Sequence, residues 1–283
     1  MNTVIAGHAA RIPVNGLHLN VRVDGRERAP WIVFSNALGA DMTLWDAQAA
    51  LFGSRFRILR YEQRGHGDSD MPPAGTDFDD LAGDLIALLD HFGIDKAILI
   101  GASMGAITVL RVAARIPARC RGVIACGGQW ASPANAREIW QERFALIERG
   151  GMKAMAEATA ARWTRPDCRV KRPEVFAHME KMVSRTPQEG YIGCAAALQD
   201  FDFRRDHPGL SMPVLYLAGA QDGDLPDIAK SMAQAAAQGA CRLIDDCGHL
   251  PNLEQPEAFN AIAAEFADQL PQASAAEECA CRV

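Results

Sequence analysis

A serine lies between two glycines at the point where a strand-like run gives way to a helix-like one. The run Ala-Ile-Leu-Ile is followed by Gly101-Ala102-Ser103-Met104-Gly105 and then by the helical stretch AITVLRVAARI. A Gly-x-Ser-x-Gly turn in this position presents the serine hydroxyl as a nucleophile. An ordinary glycine-rich turn shares the spacing, but the strand before and the helix after favour the nucleophile. We therefore predict that Ser103 attacks a carbonyl carbon.

A serine hydroxyl is a weak nucleophile and needs a general base within hydrogen-bonding reach. His249 follows the last strand-like run and precedes the last helix, in DDCGHLPNLEQPEAF. Serine, carboxylate and histidine follow in that chain order when the nucleophile sits in such a turn, which selects His249. His66, in RGHGDS, is expected to organise a loop below the site. The other histidines are expected to be solvated: His8, His18, His91, His178 and His207.

The acid that orients the imidazole must lie between Ser103 and His249 in sequence and near a strand end. The segment AGAQDGDLPD, directly after the run PVLYLAG, offers Asp222, Asp224 and Asp227. Asp222 is closest to the strand and is our choice, with Asp224 as the alternative. A carboxylate beside the imidazole would fix its tautomer and stabilise the imidazolium.

These residues must be positioned by elements that alternate along most of the chain. Short runs rich in Ile, Val and Leu are each followed by a longer amphipathic stretch, and they begin at Trp31, Phe56, Lys96, Arg121, Pro213 and Ala240. Such runs are typical of strands buried on both faces of a sheet. The alternation predicts an α/β fold, a mostly parallel twisted sheet with helices on both sides. Two short runs around Asn15-Gly16 predict an antiparallel hairpin at its edge.

Residues 129–208 lack this alternation and have helical periodicity instead, as in ANAREIWQERFALIERGG. An insertion of that size at a strand end predicts a helical cap over the edge of the sheet where ligands of open α/β folds bind. We divide the chain into an α/β core, 1–128 and 209–270, a helical cap, 129–208, and a short polar tail, 271–283.

The composition excludes several classes of partner. The 283 residues carry a net charge of −6 and no long Lys/Arg cluster, so nucleic acid is not an expected partner. The N-terminal residues do not resemble a signal peptide, and no apolar run is long enough to span a membrane. We expect a soluble cytoplasmic protein that acts on a small molecule. The oligomeric state is not readable from the sequence.

The eight cysteines do not suggest disulfides or a metal site. Six are widely scattered, most of them inside apolar runs, where a thiol acts as a small hydrophobe: Cys120, Cys126, Cys168, Cys194, Cys241 and Cys247. Cys279 and Cys281 form a lone Cys-x-Cys in the tail without the further ligands that zinc requires. Nucleophilic serine chemistry needs no cofactor or metal, and we predict none.

From about Ile12 to Phe266 the chain resembles the 3-oxoadipate enol-lactonases of the α/β-hydrolase superfamily. The resemblance is carried by SNALGADM, RYEQRGHGDS, GASMGA, the cap segments ARWTRP and RTPQEGYIGCAAALQDFDFR, and HLPNLEQPEAF. It implies the α/β-hydrolase fold with a cap and hydrolysis of a lactone through an acyl-serine. The segment CGGQW, 126–130, departs from the Asn-Thr-Ala stretch that these lactonases usually have.

The resemblance also implies roles for further residues. The N–H groups of Leu38 and Met104 would form the oxyanion hole, since Leu38 falls in the Ser-Asn-x-Leu-Gly segment of the lactonases. Arg162 and Trp163 match their Arg-Trp pair, and Arg162 is the candidate partner of a substrate carboxylate. Trp130, in the departing segment, is a third candidate substrate residue. The alternative for Arg162 is a solvated arginine of the cap helix, because the cap also contains Arg137, Arg143 and Arg165.

Three other functions use a similar framework. A broad-specificity carboxylesterase acting on small neutral esters would have the same serine, histidine and aspartate. Some relatives cleave carbon-carbon bonds with them, and others are small-molecule receptors without catalysis. Haloalkane dehalogenases and most epoxide hydrolases of the fold have aspartate in place of Ser103. The sequence favours an enol-lactonase-like enzyme, with the carboxylesterase as the alternative.

Overall fold

The computed structural model describes residues 7–72 and 75–271, which form an eight-stranded sheet flanked by helices. The strands are β1 (Ala9–Val14), β2 (Leu17–Gly25), β3 (Trp31–Ser35), β4 (Arg57–Tyr61), β5 (Ala97–Ala102), β6 (Cys120–Cys126), β7 (Val214–Gly219) and β8 (Gly239–Ile244). Across the sheet their order is β1-β2-β4-β3-β5-β6-β7-β8. β2 is antiparallel to β1 and β4, and the other neighbours are parallel. The predicted mostly parallel sheet with an antiparallel edge hairpin is confirmed.

Burial explains why the central strands are apolar throughout. Every residue of β5 and β7 is buried, because helices cover both faces of the sheet. Ile98 and Ile100 face one hydrophobic cluster, and Leu99 between them faces the other. The edge hairpin turns at Asn15 and Gly16, whose positive φ angles of 47° and 81° suit an Asn-Gly turn.

The helices follow the amphipathic stretches. They are α1 (Asp46–Phe52), α2 (Phe78–His91), α3 (Met104–Arg115), α4 (Ala136–Trp163), α5 (Cys168–Lys171), α6 (Pro173–Arg185), α7 (Gln188–Ala195), α8 (Leu225–Ala235), α9 (Pro251–Glu254) and α10 (Pro256–Gln269). At the start of α2, Asp77 and Asp80 cap each other's backbone N–H groups. The helix then buries one apolar face against the sheet: Leu81, Leu85, Leu88 and Leu89.

We call the helices α4, α5, α6 and α7, which lie between β6 and β7, the helical insertion. Gly151, with a φ of 65°, divides α4 into two helical parts. α4 packs against α6 and α7, and the Thr186 hydroxyl, at the end of α6, donates to the Gly39 carbonyl in the loop after β3. The insertion is therefore in contact with a loop at the end of a central strand.

Several sequence features can be located only in part. Cys279, Cys281 and nearly all of the predicted tail lie outside the described residues. Within the described ranges, no helix has the length and apolar character needed to cross a bilayer. The six cysteines of those ranges are free, and no cluster of three or more potential metal ligands occurs there.

Candidate active site

Ser103 occupies a strained turn between β5 and α3. Its φ and ψ of 53° and −117° lie outside the regions that residues with a Cβ prefer. The Ser103 N–H donates to the Cys126 carbonyl at 2.8 Å. Glycine is required on both sides, since a Cβ on Gly101 would lie 2.2 Å from the Gly105 carbonyl oxygen and one on Gly105 2.2 Å from that of Ser35. The Gly-x-Ser-x-Gly spacing thus follows from the tightness of the turn.

His249 connects the serine to a carboxylate. Its Nε2 lies 2.9 Å from the Ser103 Oγ and its Nδ1 lies 2.7 Å from an Asp222 carboxylate oxygen. Because an ionised carboxylate only accepts, Nδ1–H donates to Asp222 and Nε2 is left to accept from the serine hydroxyl. The His249 and Asp222 side chains are each 13% exposed. The arrangement can remove the serine proton during attack on a carbonyl.

Backbone contacts hold the aspartate and histidine loops together. The Gln221 N–H, next to Asp222, donates to the Cys247 carbonyl at 3.0 Å. The His249 N–H donates to the Trp163 carbonyl at 2.7 Å, and the Trp163 ring stacks on the imidazole with centroids 6.1 Å apart. The end of α4 is therefore in direct contact with the histidine.

Two backbone N–H groups can serve a developing oxyanion. Met104 is the first residue of α3, so its N–H has no acceptor within the helix and lies at the positive end of the helix dipole. Leu38 lies in the loop after β3 and lines the same cavity as Ser103. Its N–H donates to no protein acceptor in the part of the chain that the structure describes. Leu38 and Met104 therefore remain the residues that we predict for an oxyanion hole.

His66 organises the loop that carries Leu38. It is buried, and its Nε2 accepts from the Gly39 N–H at 2.8 Å while its Nδ1–H donates to the Arg64 carbonyl at 3.0 Å. Burial lowers the pKa of His66 to about 4, so the ring is neutral at ordinary pH. From the other side, the Thr186 hydroxyl donates to the Gly39 carbonyl at 3.1 Å. The role expected for His66 from its sequence position agrees with these contacts.

A cavity of about 580 Å³ opens in front of Ser103, between the sheet edge and the helical insertion. Residues of both parts line it. From the core they include Leu38, Ser103, Ile107, Gln129, Asp222, Asp224 and His249, and from the insertion Trp140, Arg143, Arg162, Trp163 and Tyr191. The volume is that of a small-molecule site.

Two arginines of α4, Arg143 and Arg162, face this cavity without a carboxylate partner among the described residues. Burial and the neighbouring Arg162 lower the pKa of Arg143 to about 10, and burial lowers that of Arg162. The Arg143 guanidinium lies over the Trp140 ring, 4.3 Å from its centroid. Arg162 is an exposed residue and is among the residues that line the cavity. Both remain cations at neutral pH and can bind an anion.

Sequence reasoning did not single out Arg143, Trp140 or Tyr191 as cavity residues. A signal was present for the first two, because residues three apart share a helix face and WQER places an arginine beside a tryptophan. By contrast, Arg137 forms an exposed pair with Asp200. Arg165, which follows α4, is bound to carboxylates away from the cavity.

Two expectations need correction. Trp130 does not line the cavity; its ring packs edge-on against His207, with centroids 5.4 Å apart, and its neighbour Gln129 faces the cavity instead. His207 is not solvated but 2% exposed, between Trp130 and Tyr216, and burial lowers its pKa. Both residues pack where the insertion meets the sheet. The pattern of apolar residues in the sequence does not predict this packing. Asp224, the alternative acid, is an exposed residue at the start of α8.

Comparison with known proteins agrees with this geometry. The model of the Alpha/beta hydrolase family matches residues 32–262. The chain belongs to the α/β-hydrolase family. It is 33% identical over 244 residues to 3-oxoadipate enol-lactonase 2 of Acinetobacter baylyi, a match that covers 86% of this chain and 90% of the relative.

Solved structures of the α/β-hydrolase family show the same fold. The enol-lactonase from Burkholderia xenovorans superposes with a TM-score of 0.86 at 34% identity, covering 92% of this chain and 100% of that one. A thermophilic esterase from Thermogutta terrifontis, with malate bound, has a TM-score of 0.85 at 25% identity and covers 93% and 99%. The chain has the α/β-hydrolase fold and resembles the enol-lactonases, which supports a hydrolase of lactone or ester bonds.

Proposed function

We propose that this protein is a serine hydrolase that opens an anionic lactone through an acyl-serine intermediate, as an enzyme similar to the 3-oxoadipate enol-lactonases. The observation that carries the proposal is the hydrogen-bonded series Ser103, His249 and Asp222 at one wall of a cavity that also contains two unpaired arginines. The relatives named enol-lactonase support the substrate class.

In the first half of the reaction the Ser103 Oγ attacks the ring carbonyl carbon while His249 Nε2 accepts the hydroxyl proton. The Leu38 and Met104 N–H groups stabilise the tetrahedral oxyanion, and Asp222 stabilises the imidazolium. Collapse breaks the bond between the carbonyl carbon and the ring oxygen. That oxygen takes the proton from His249 as an enol, which then ketonises while the acyl group stays on the serine.

In the second half His249, neutral again, removes a proton from water, and the water oxygen attacks the acyl-serine carbonyl. The same two N–H groups stabilise the second oxyanion. Collapse returns the proton to the Ser103 Oγ and releases a carboxylic acid, which loses its remaining proton to solvent and leaves as a carboxylate. The substrate, one water molecule and the residues of this chain account for every atom and proton of these reaction steps.

We assign the substrate carboxylate to Arg162, with Arg143 as its neighbour. Neither guanidinium makes an ion pair with a carboxylate of the described residues, so each can offer charge-assisted hydrogen bonds to an anionic ligand in the cavity. Arg162 is also the closer to the catalytic groups, since it interacts electrostatically with Asp222. Trp163, between Arg162 and the imidazole, would form the adjoining wall.

The test compares an anionic enol-lactone with a neutral ester such as p-nitrophenyl acetate. Arg162→Ala should lower kcat/KM for the lactone by about 1.5 to 3 kcal/mol, roughly ten- to a hundredfold, because a charge-assisted hydrogen bond is lost. The neutral ester should be affected little. Arg137→Ala is the matched control, since Arg137 is an exposed arginine of the same helix paired on the surface with Asp200.

Equal losses on both substrates would remove Arg162 from the binding site. If the wild-type protein prefers neutral esters to the lactone, the broad carboxylesterase is the better function, in line with the departure at CGGQW. A fluorophosphonate probe separates either enzyme from a non-catalytic receptor, because it labels an activated serine. Wild type should be labelled and Ser103→Ala should not.

A further inference from the structure

A buried carboxylate below the histidine loop has no part in the reaction as described. Glu254, at the end of α9, is 2% exposed. One of its oxygens accepts from the Gly248 N–H at 2.9 Å, and the other accepts from the Arg165 backbone N–H at 3.2 Å and from the Arg165 Nε–H at 3.3 Å. Gly248, directly before the catalytic histidine, and Arg165, two residues after the end of α4, thus share one carboxylate.

Arg165 supplies the positive charge that faces the carboxylates of this cluster. Its guanidinium lies 3.3 Å from Glu254 and 3.5 Å from both Asp167 and Asp246. Asp246 belongs to the histidine loop and Asp167 to the segment after α4. A buried carboxylate needs such compensation, because an unpaired one would be strongly destabilising. Arg165 therefore keeps Glu254 as a double acceptor at the junction of insertion and core.

The same junction contains a second connection. The His249 N–H donates to the Trp163 carbonyl at 2.7 Å, and a Cβ on Gly248 would lie 2.5 Å from that carbonyl oxygen. Only glycine lets the two backbones approach so closely. Residues 248–249 are thus held by Glu254 on one side and by the backbone of Trp163 on the other.

We propose that Glu254 is a positioning residue, which fixes the Gly248 peptide so that His249 stays aligned between Asp222 and Ser103. Arg165 and Trp163 join the same cluster to the end of α4, so the base and the substrate-binding pair Arg162–Trp163 keep a constant separation. This inference depends on the proposed roles of Ser103 and His249. Glu254 acts through the backbone and touches no reacting atom.

The experiment replaces Glu254 with glutamine, which keeps the size but supplies only one acceptor. Whichever way the amide is turned, an NH₂ group faces a backbone N–H donor. In Glu254→Gln, kcat should fall about ten- to a hundredfold while KM changes by less than about twofold, because misalignment affects the chemical step rather than binding. The downfield proton NMR signal of the His249 Nδ1–H bound to Asp222 should weaken or shift.

The matched control is Glu257→Gln, a change of the same kind at an exposed position on α10. It should leave kcat and the imidazole signal as in wild type. Folded fractions are compared by circular dichroism at the assay temperature. A Glu254→Gln protein that is fully folded, has wild-type kcat and keeps the signal would overturn the positioning role. If Ser103→Ala were active as well, the proposed function itself would fail.

A second pair of variants keeps the proposal testable if Glu254→Gln does not fold. Arg165→Lys retains the Gly248 bond to Glu254 and a positive charge but removes the guanidinium from the cluster. Its kcat should fall by a smaller factor, with the imidazole signal broadened. Arg169→Lys, at an exposed arginine of the same segment paired with Glu157, is the control. Equal kcat in these two variants would contradict the role of the cluster.

Discussion

Asp222 and Asp224 lie two residues apart and line the same cavity, but only Asp222 reaches the imidazole. The turn after β7 explains the difference. The Asp222 N–H bonds back to the Gly219 carbonyl at 3.1 Å, and the Gln221 N–H bonds to the histidine loop. Asp224 has already entered the start of α8 and is exposed. Position within the turn, rather than residue type, gives the two carboxylates different roles.

This difference gives a prediction at the residue scale. Asp222→Asn should lower kcat by about 10⁴, because an amide can favour the wrong imidazole tautomer and cannot stabilise the imidazolium. Asp224→Asn makes the same chemical change two residues away and should lose far less activity. The measurement is kcat for both variants on one substrate. A larger loss in Asp224→Asn would reverse our choice between the two carboxylates.

At the scale of elements, the loop after β3 has little regular structure of its own and depends on its neighbours. His66, from the loop after β4, accepts the Gly39 N–H, and Thr186, from the end of α6, donates to the Gly39 carbonyl. Leu38, the proposed oxyanion donor, is the adjacent residue. The insertion and the core therefore both determine where the Leu38 N–H lies.

The buried imidazole in this support predicts a pH dependence of stability. The pKa of His66 is about 4 in the folded protein against 6.5 for an ordinary solvated imidazole. Between these values the unfolded chain binds a proton that the folded chain does not. The contribution to the free energy of unfolding is therefore complete above about pH 6.5 and is lost as the pH falls toward 4, by about 3 kcal/mol.

The measurement is urea denaturation of wild type and His66→Gln at pH 7 and pH 4.5. The variant should be less stable at pH 7, and its stability should depend less on pH because it lacks the titrating group. His91→Gln, at an exposed histidine, serves as the control and should keep the wild-type dependence. If His66→Gln and wild type lost equal stability on acidification, the folded protein would not be keeping His66 neutral.

At the scale of the whole molecule, the sequence alone predicted the features that depend on residues close together in the chain. Apolar runs predicted the sheet, and Asn15-Gly16 predicted the hairpin. The glycines around Ser103 predicted the turn because only they fit the close backbone contacts. These features depend on residues near one another in the chain, so their signals survive in a single sequence.

Contacts across long sequence separations were harder to predict. Trp130 was assigned to the substrate site, yet it packs against His207, more than seventy residues away in the chain. Arg143 and Arg162 share a helix with Arg137, and only the packing of α4 decides which of them face the cavity. Composition gave no indication of these cavity arginines, because the net charge of −6 describes the whole chain and not the cavity, which also contains Asp222 and Asp224.

The positive φ of Ser103 should lower the thermal stability of the folded protein. A non-glycine residue in this conformation lowers the free energy of unfolding by on the order of 1 to 3 kcal/mol. Ser103→Gly would remove both the conformational strain and the nucleophile. Ser103→Ala would remove only the nucleophile, because alanine still has a Cβ. We therefore expect the melting temperature of Ser103→Gly, measured by calorimetry, to be a few degrees higher than that of Ser103→Ala. The backbone conformation that presents the nucleophile would then lower the thermal stability of the protein. Equal melting temperatures of the two variants would show that this conformation has no such cost.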